Sequence, residues 1–387
     1  MKLCVFPNDP INSYYKKGEI KERYYNPGNL FDEIHIISFT EKDIDESKVK
    51  IIAGNAKLKI HSLGEIKLRN RKKHVNRIIS LVREINPDVI RAYNPRLEGW
   101  FAAICSEKLK IPFFLSLHTQ HDYNRKLAKK SNFKKYLALK YTERFIEPYV
   151  LKRASKITIV FKIIEPYVLR HVGVKPELLY NKIDYERFSN AVSKEELASP
   201  LVISVGNLIK EKNHECLIKA MKNLNTNFLI IGKGAQKNKL QNLIKKENLE
   251  KKITIKEFVP HEEIQDYYKS AQVFALAYDP ELEGLPMPVM EAMASGLPVV
   301  IPYPKEGYSD GLEDVAIFSK RNSVSFFKNI KKLLDDPVLH KDFSRKSLLK
   351  AKDFDSKKIE KREAEIYKEL ILNQSNKWLR NSFLKYK

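Results

Sequence analysis

Cysteine is scarce in this chain. Three stand in 387 residues, Cys4, Cys105 and Cys216, far apart and with no Cys-x-x-Cys spacing, which argues against a disulfide framework and a cysteine zinc site and predicts buried, reduced thiols. Long apolar runs are missing as well: nothing approaches the roughly 18 consecutive apolar residues of a membrane-crossing helix. Met1 to Ile11 is charged and strand-like, unlike a signal peptide with its long apolar middle, so a cytoplasmic protein is expected. Negative charge is the third shortage. Lysine and arginine number 71 against 48 aspartates and glutamates, a formal net charge of +23. Such an excess attracts anions: nucleic acid, acidic lipid or phosphorylated small molecules.

What is present suffices for a folded interior. Apolar residues make up 43% and aromatics 10%, and short apolar runs alternate with charged helical segments, which argues against disorder. A chain of 387 residues exceeds what one hydrophobic core usually serves, so two domains of somewhat under about 200 residues each are expected. Residues 1–188 read as strands and helices in alternation: LCVF (3–6), EIHIISF (33–39), the helical spacing of HVNRIISLVREI (74–85) stopped by Asn86-Pro87, then DVIRAYN and PFFLSLH ending at His118. That rhythm means parallel βαβ units. A basic helical stretch is predicted from Ser131 to Leu151, and IEPYVLKR (146–153) is echoed by IEPYVLRH (164–171), two copies being too few for a solenoid.

The polar, aperiodic SNAVSKEELASP (189–200) reads as a linker, and the alternation restarts at Leu201 and continues to about 360. LVISVG, NFLIIGKG, KITIKEFV, QVFALAY and LPVVIPY are the strands of this second domain, and the tail 361–387 is helical and expected to pack back on the first domain. The expected architecture is α/β, two doubly wound Rossmann-like domains with ligand crevices at the carboxyl ends of their strands.

The stretch EGLPMPVMEAM, Glu283 to Met293, sets two carboxylates around two prolines. Pro286 and Pro288 keep the preceding backbone extended and suit a helix starting at about Pro288. Glu291 is then expected in the first turn, with Glu283 in the loop ahead and Gly284 permitting close approach of a ligand. A helix start after a glycine-containing loop presents unpaired N–H groups suited to phosphate. Glu291 would repel a phosphate and suits a neutral diol such as ribose, while Glu283 could accept from the hydroxyls of a sugar. His118 and His121 lack a third ligand at suitable spacing, and the Asp-Ile-Asp of 43–45 sits in no nucleotide crevice, so no metal site is expected.

The run EGLPMPVMEAMASGLPVV resembles the signature of the retaining GT-B glycosyltransferases called family four: an acidic residue, a Gly-rich turn, proline, and a second glutamate opening a Glu-Ala-Met-Ala helix. VGNLIKEKN (205–213), FLIIGKGAQ and EFVPHEEIQDYYKSAQVFALA are similar to other segments of that family, and INPDVIRAYN, the strand ending in His118 and YNKIDYERF follow in the same order. The resemblance implies a GT-B fold, two Rossmann-like domains facing across a cleft, and transfer of a sugar from a nucleotide diphosphate to a hydroxyl with retention, without a cofactor or metal. It assigns Lys212 to the diphosphate, Glu283 with Gly284 and Leu285 to the donor sugar, Glu291 to the ribose, His118 to the donor from the first domain, and Gly232 and Val259 to the donor-binding loops.

Two departures stand out. The arginine expected with Lys212 is Asn207, which replaces a permanently charged fork by a neutral amide, and Lys210 is the candidate to compensate. The loop after the first strand, FPNDPINSYYKKGEI, has one glycine, and YPKEGYSDG (303–311) replaces a Gly-x-x-Glu loop, so acceptor choice does not transfer. The expected partners are a UDP- or GDP-sugar, a glycan or lipid-linked acceptor, and an anionic membrane surface under the basic segments Lys126 to Lys140 and Lys377 to Lys387. A sugar-nucleotide epimerase is the alternative on the same fold. A nucleic-acid-binding protein is disfavoured by scattered cations without an ordered run of stacking aromatics.

Overall fold

The computed structural model describes residues 1–194, 200–260 and 262–384, with side chains to 375. The middle of the expected linker (195–199) and the basic side chains of Lys377 to Lys387 lie outside the described residues. The chain forms two compact units. The first holds residues 1–160, 164–180 and 360–387, and the second holds 161–163 and 181–359.

Unit 1 is built on strands β1 (Lys2–Phe6), β2 (Glu33–Ser38), β3 (Lys57–Ser62), β4 (Val89–Ala92), β5 (Phe113–Leu117), β6 (Lys156–Ile159) and β7 (Glu177–Leu178). Their order is β3-β2-β1-β4-β5-β6-β7, every pairing parallel. Unit 2 uses β8 (Leu201–Val205), β9 (Asn227–Ile231), β10 (Ile253–Lys256), β11 (Val273–Ala275), β12 (Val299–Pro302) and β13 (Ala316–Ser319), in the order β10-β9-β8-β11-β12-β13. Both sheets reverse direction beside their first strand, the switch point at which a doubly wound fold opens a crevice.

Helices cover both faces of a parallel sheet, so its strands read as unbroken apolar runs. Leu3, Cys4, Val5 and Phe6 of β1 are fully buried, as are Val202 and Ile203 of β8. The three thiols are buried, and burial pushes Cys105 up to about 12 and Cys216 up to about 11, leaving both as inert, protonated core groups. In unit 2 Phe228, Ile230, Leu217, Val273 and Phe326 meet in one cluster.

The structure divides one predicted stretch. The basic helical stretch of 131–151 comprises two helices, Phe133–Phe145 and Glu147–Arg153. Asn132 caps the first, its side chain accepting from the Lys135 N–H, and Pro148 opens the second, since proline suits a first turn and cannot continue a preceding helix. Pro166 likewise opens Glu165–Val172, so the echoed Ile-Glu-Pro-Tyr-Val-Leu segments are two proline-started helices.

The last helix, Ser356–Leu384, is anchored to unit 1 by a buried cation. Arg91 on β4 donates to the Tyr367 hydroxyl at 2.8 Å and to Ser116 at 2.9 Å, pairs with Glu363 at 2.8 Å, and lies 3.8 Å from the Phe114 ring centre. Removing one partner of a buried pair leaves an uncompensated charge in low dielectric. Glu363→Ala is therefore expected to lower the stability of unit 1 by about 3 kcal/mol, with Glu363→Gln milder, read as the urea midpoint of the transition in which that unit unfolds.

Candidate functional site

The carboxyl ends of β8, β9 and β10 are locked together by main chain. Gly206 donates to Ile231 at 3.0 Å, Leu208 to Lys233 at 2.9 Å, and Gly232 to Lys256 at 2.9 Å. A Cβ at Gly232 would overlap the Gly206 carbonyl, and one at Gly234 would stand 2.5 Å from the Leu208 oxygen. Glycine is needed at both positions because one backbone lies directly on the other.

From this platform the turn Lys210–Lys212 delivers a lysine inward. Lys212 is buried, its stem passing within contact distance of Gly206, and its Nζ lies 2.5 Å from Glu283 Oε2, the glutamate being about a third exposed at 35%. The pair brings together the two segments most distinctive in the sequence. The loop that carries Glu283 is fixed on both sides. The Leu282 and Glu283 N–H groups both donate to the Asp279 carbonyl at 3.1 Å, and the buried Tyr278 hydroxyl donates to the Gly284 carbonyl at 2.9 Å. Gly284 itself rests on Phe161, whose Cβ would be 2.8 Å from any added Cβ. Leu285 is buried behind it.

Glu291 departs from expectation. Pro286, extended at φ −63 and ψ 145, is the capping residue, so the helix is Met287–Ala294. Glu291 is its fifth residue and stands in the second turn. It is buried, at 8% exposure, and accepts from the Tyr268 hydroxyl at 3.0 Å. Burial and then the charge of Glu291 push the Tyr268 phenol well up, which keeps it a protonated donor. The helix starts one residue before Pro288 because extended backbone at Pro286 lets Met287 take the first helical position, which makes Glu291 the fifth residue rather than the fourth.

Of the remaining sequence-predicted residues, Val259 is buried beyond β10, while Asn207 and Lys210 are exposed. His214, which follows the Lys212 turn, is buried and neither ring nitrogen has a hydrogen-bond partner among the described residues. Burial, then the charge of Lys212, hold it down to about 4, a neutral imidazole. His118 belongs to unit 1, at the end of β5, with its ring 5.3 Å from that of Tyr93. Burial and then Arg91 push it down to about 3, so it offers one donor and one acceptor and no charge near neutral pH. The structure thus gathers Lys212, Glu283, Gly284 and Leu285 in unit 2 and sets His118 in unit 1.

His121 Nδ1 lies 3.2 Å from the Arg96 guanidinium, an environment hostile to a cation. The Asp43 carboxylate accepts from the Ile11, Asn12 and Ile44 N–H groups and from the Ser38 hydroxyl, so the first aspartate of Asp-Ile-Asp is a structural clamp on the loop after β1.

The chain is similar to known proteins. The family model described as Glycosyl transferases group 1 matches residues 186–349, and that of Glycosyltransferase Family 4 matches residues 32–187. The chain is 33% identical over 191 residues to N-acetylgalactosamine-N,N'-diacetylbacillosaminyl-diphospho-undecaprenol 4-alpha-N-acetylgalactosaminyltransferase of Campylobacter jejuni, covering 48% of this chain and 51% of that one. It is 27% identical over 277 residues to alpha-monoglucosyldiacylglycerol synthase of Acholeplasma laidlawii, covering 66% and 67%. The match therefore spans about half the length of the Campylobacter protein and about two thirds of the Acholeplasma one. Among solved structures, Anabaena Alr3699/HepE in complex with UDP superposes with a TM-score of 0.72 at 14% identity, covering 95% of this chain and 100% of that one. Sucrose-phosphate synthase from Thermosynechococcus elongatus does so with 0.71 at 14% identity, covering 96% and 100%. Both units thus form the GT-B fold.

Several residues of this site escaped the sequence reading, Tyr268, Tyr278 and Arg321 among them. Arg321, in the turn after β13, donates from Nε to the Ala277 carbonyl at 3.3 Å and from Nη2 to the Glu211 carbonyl at 3.4 Å, and its Nη1 is 3.5 Å from Asp279. It ties the loop bearing Glu283 to the turn bearing Lys212. No local pattern marks it, because its partners are remote in sequence. Arg321→Met is expected to speed amide hydrogen exchange at Leu282 and Glu283 about tenfold, with Arg321→Lys intermediate, since the lost bridge loosens local opening. Unchanged exchange at both amides would deny it the bridging role.

Proposed function

The chain belongs to the glycosyl transferases of group 1, glycosyltransferase family 4, and from that membership we propose that it transfers a sugar from a nucleotide diphosphate to a hydroxyl acceptor with retention. The observation that carries this is the buried Lys212 paired with Glu283 beyond the strands β8 and β11, between which the strand order switches. A buried ammonium needs an anionic partner. Without a donor Glu283 serves, and a diphosphate arriving there takes over Lys212 and releases Glu283 to accept from sugar hydroxyls.

No side-chain nucleophile is needed on this reading. The leaving diphosphate, stabilised by Lys212 and by the positive dipole end of the helix Met287–Ala294, takes the acceptor proton on the face it departs from, so catalysis rests on orientation and charge stabilisation. Glu291, held by Tyr268, reads the ribose. Gly232 and Val259 line the nucleotide side, and Gly284 and Leu285 give the sugar close access to main chain. Neutral His118 contributes a hydrogen bond rather than charge. Lys210 makes up for the neutral Asn207 on the diphosphate.

UDP is favoured as the carrier by the UDP and UDP-glucose complexes of the fold neighbour HepE, with GDP as the other base to be tried. The names of the Campylobacter and Acholeplasma relatives carry diphospho-undecaprenol and diacylglycerol, which favours a lipid-linked or glycan acceptor and work at the inner face of a membrane.

A thermal-shift series with UDP-, GDP- and ADP-sugars tests the donor, because a ligand of the folded state raises the melting point. One nucleotide class is expected to stabilise, and no response to any of them would sink the reading. Glu291→Ala is expected to weaken donor binding about tenfold or more, and Lys212→Ala to lower kcat by roughly two to three orders of magnitude. Lys210→Ala should slow transfer, and adding Asn207→Arg should restore it. A large acceleration by Asn207→Arg alone would show that Lys210 does not compensate. A free epimer of the donor in place of a transferred sugar would assign the site to epimerisation.

A further inference from the structure

Exposed apolar side chains are ordinary when scattered. On the helix Phe133–Phe145 they are aligned. Phe133, Leu137, Tyr141 and Phe145 are exposed at 63%, 53%, 40% and 61%, and their spacing of four places them along one flank of the helix over about 18 Å. Among the described residues three phenylalanines are exposed, and two of them belong to this ridge. The same helix buries Leu139 and Thr142 on its other side. A helix of unit 1 therefore carries two apolar faces, of which the core uses one.

The ridge is braced. Arg71 donates to the Tyr141 hydroxyl at 2.8 Å and lies 5.5 Å from its ring centre, and the Tyr141 and Phe145 rings are 5.1 Å apart. Cations surround it. Residues 123–146 contain eight lysines and arginines and one acid, Glu143. That acid is engaged by Arg125 at 3.3 Å and Lys140 at 2.6 Å, while Lys129, Lys130, Lys134, Lys135 and Arg144 are exposed on either side.

We propose that the helix Phe133–Phe145 is a docking surface for an anionic lipid bilayer. Its apolar ridge enters the headgroup boundary and the flanking lysines meet acidic lipid. Aromatic and aliphatic side chains beside basic ones are the composition of a helix that lies in the membrane plane. No helix among the described residues is long and apolar enough to cross a membrane. A nucleic-acid platform would offer ring faces within a groove, whereas this is a convex ridge with Leu137 in its line. The inference rests on the membrane reading above and assigns it a surface.

Flotation of the full chain with phosphatidylcholine vesicles, with and without phosphatidylglycerol, tests it. The protein should float with the acidic vesicles at low salt, less at high salt, and poorly with phosphatidylcholine alone. The double variant Phe133→Ser, Phe145→Ser should lower partitioning at least roughly tenfold, with melting point and nucleotide-sugar stabilisation kept. Lys134→Glu with Lys135→Glu should act in the same direction. The proposal is overturned if the unaltered protein fails to float at low salt, or if the serine variant floats equally well. It is also overturned if the ridge proves to hold a second copy, seen as self-association in sedimentation that the serine variant abolishes, or RNA. Failure to float beside intact donor stabilisation rejects this surface alone, whereas flotation without donor stabilisation rejects the site reading and keeps the surface.

Discussion

A lysine buried among backbone and tyrosine must have a negative partner close by, and in unit 2 the rest of the site is arranged around that need. Lys212 meets Glu283 at 2.5 Å. Each half of the pair comes from a loop with little regular structure, so both loops are held by contacts from elsewhere. The glycine-to-backbone packing of 206, 232 and 234 sets the floor under Lys212. Tyr278, Phe161, the Asp279 carbonyl and Arg321 hold the Glu283 loop. On the proposed reading, an ion pair built this way is preorganised for exchange, a dianion taking the place of the carboxylate with little movement of the backbone.

The two glutamates of one short motif end in different surroundings, and the surroundings separate their roles. Glu283 is partly open and bound to a cation. Glu291 is buried against a phenol, and a buried carboxylate that accepts from Tyr268 is held in one orientation. A fixed acceptor suits recognition of a ligand that is the same in every turnover, such as a nucleotide, while a carboxylate that changes partners suits the part that is transferred. His118, kept neutral by burial and by Arg91, fits a polar contact that need not track pH.

Much of this was legible in the residues. The apolar runs of β1, β4, β5, β8, β9 and β12 are central strands buried on both faces, where composition and structure agree most closely. The strands without a clear signal are at or near the edges. β3 is Lys-Leu-Lys-Ile-His-Ser and β7 has two residues, and at an edge solvent tolerates charge that the centre excludes. The split of the 131–151 stretch turned on Pro148, an ordinary first-turn proline hidden by basic residues on both sides. Glu291 moved by one helical position because capping depends on the dihedral angles at Pro286, which residue type narrows without settling.

The alternation of apolar runs and helical segments along 1–188 and 201–360 indicated, by itself, two doubly wound units, and the prolines and acids of 283–293 indicated a helix start behind a loop carboxylate, because each depends on local backbone limits that residue type imposes. Contacts between remote segments were decided only by the folded chain: Lys212 on Glu283, Arg321 on the Glu283 loop, Tyr268 on Glu291, Arg91 beneath the last helix, and the exposed ridge of Phe133, Leu137, Tyr141 and Phe145. Sequence periodicity shows that a helix is apolar, but which of its faces the core takes depends on what packs against it.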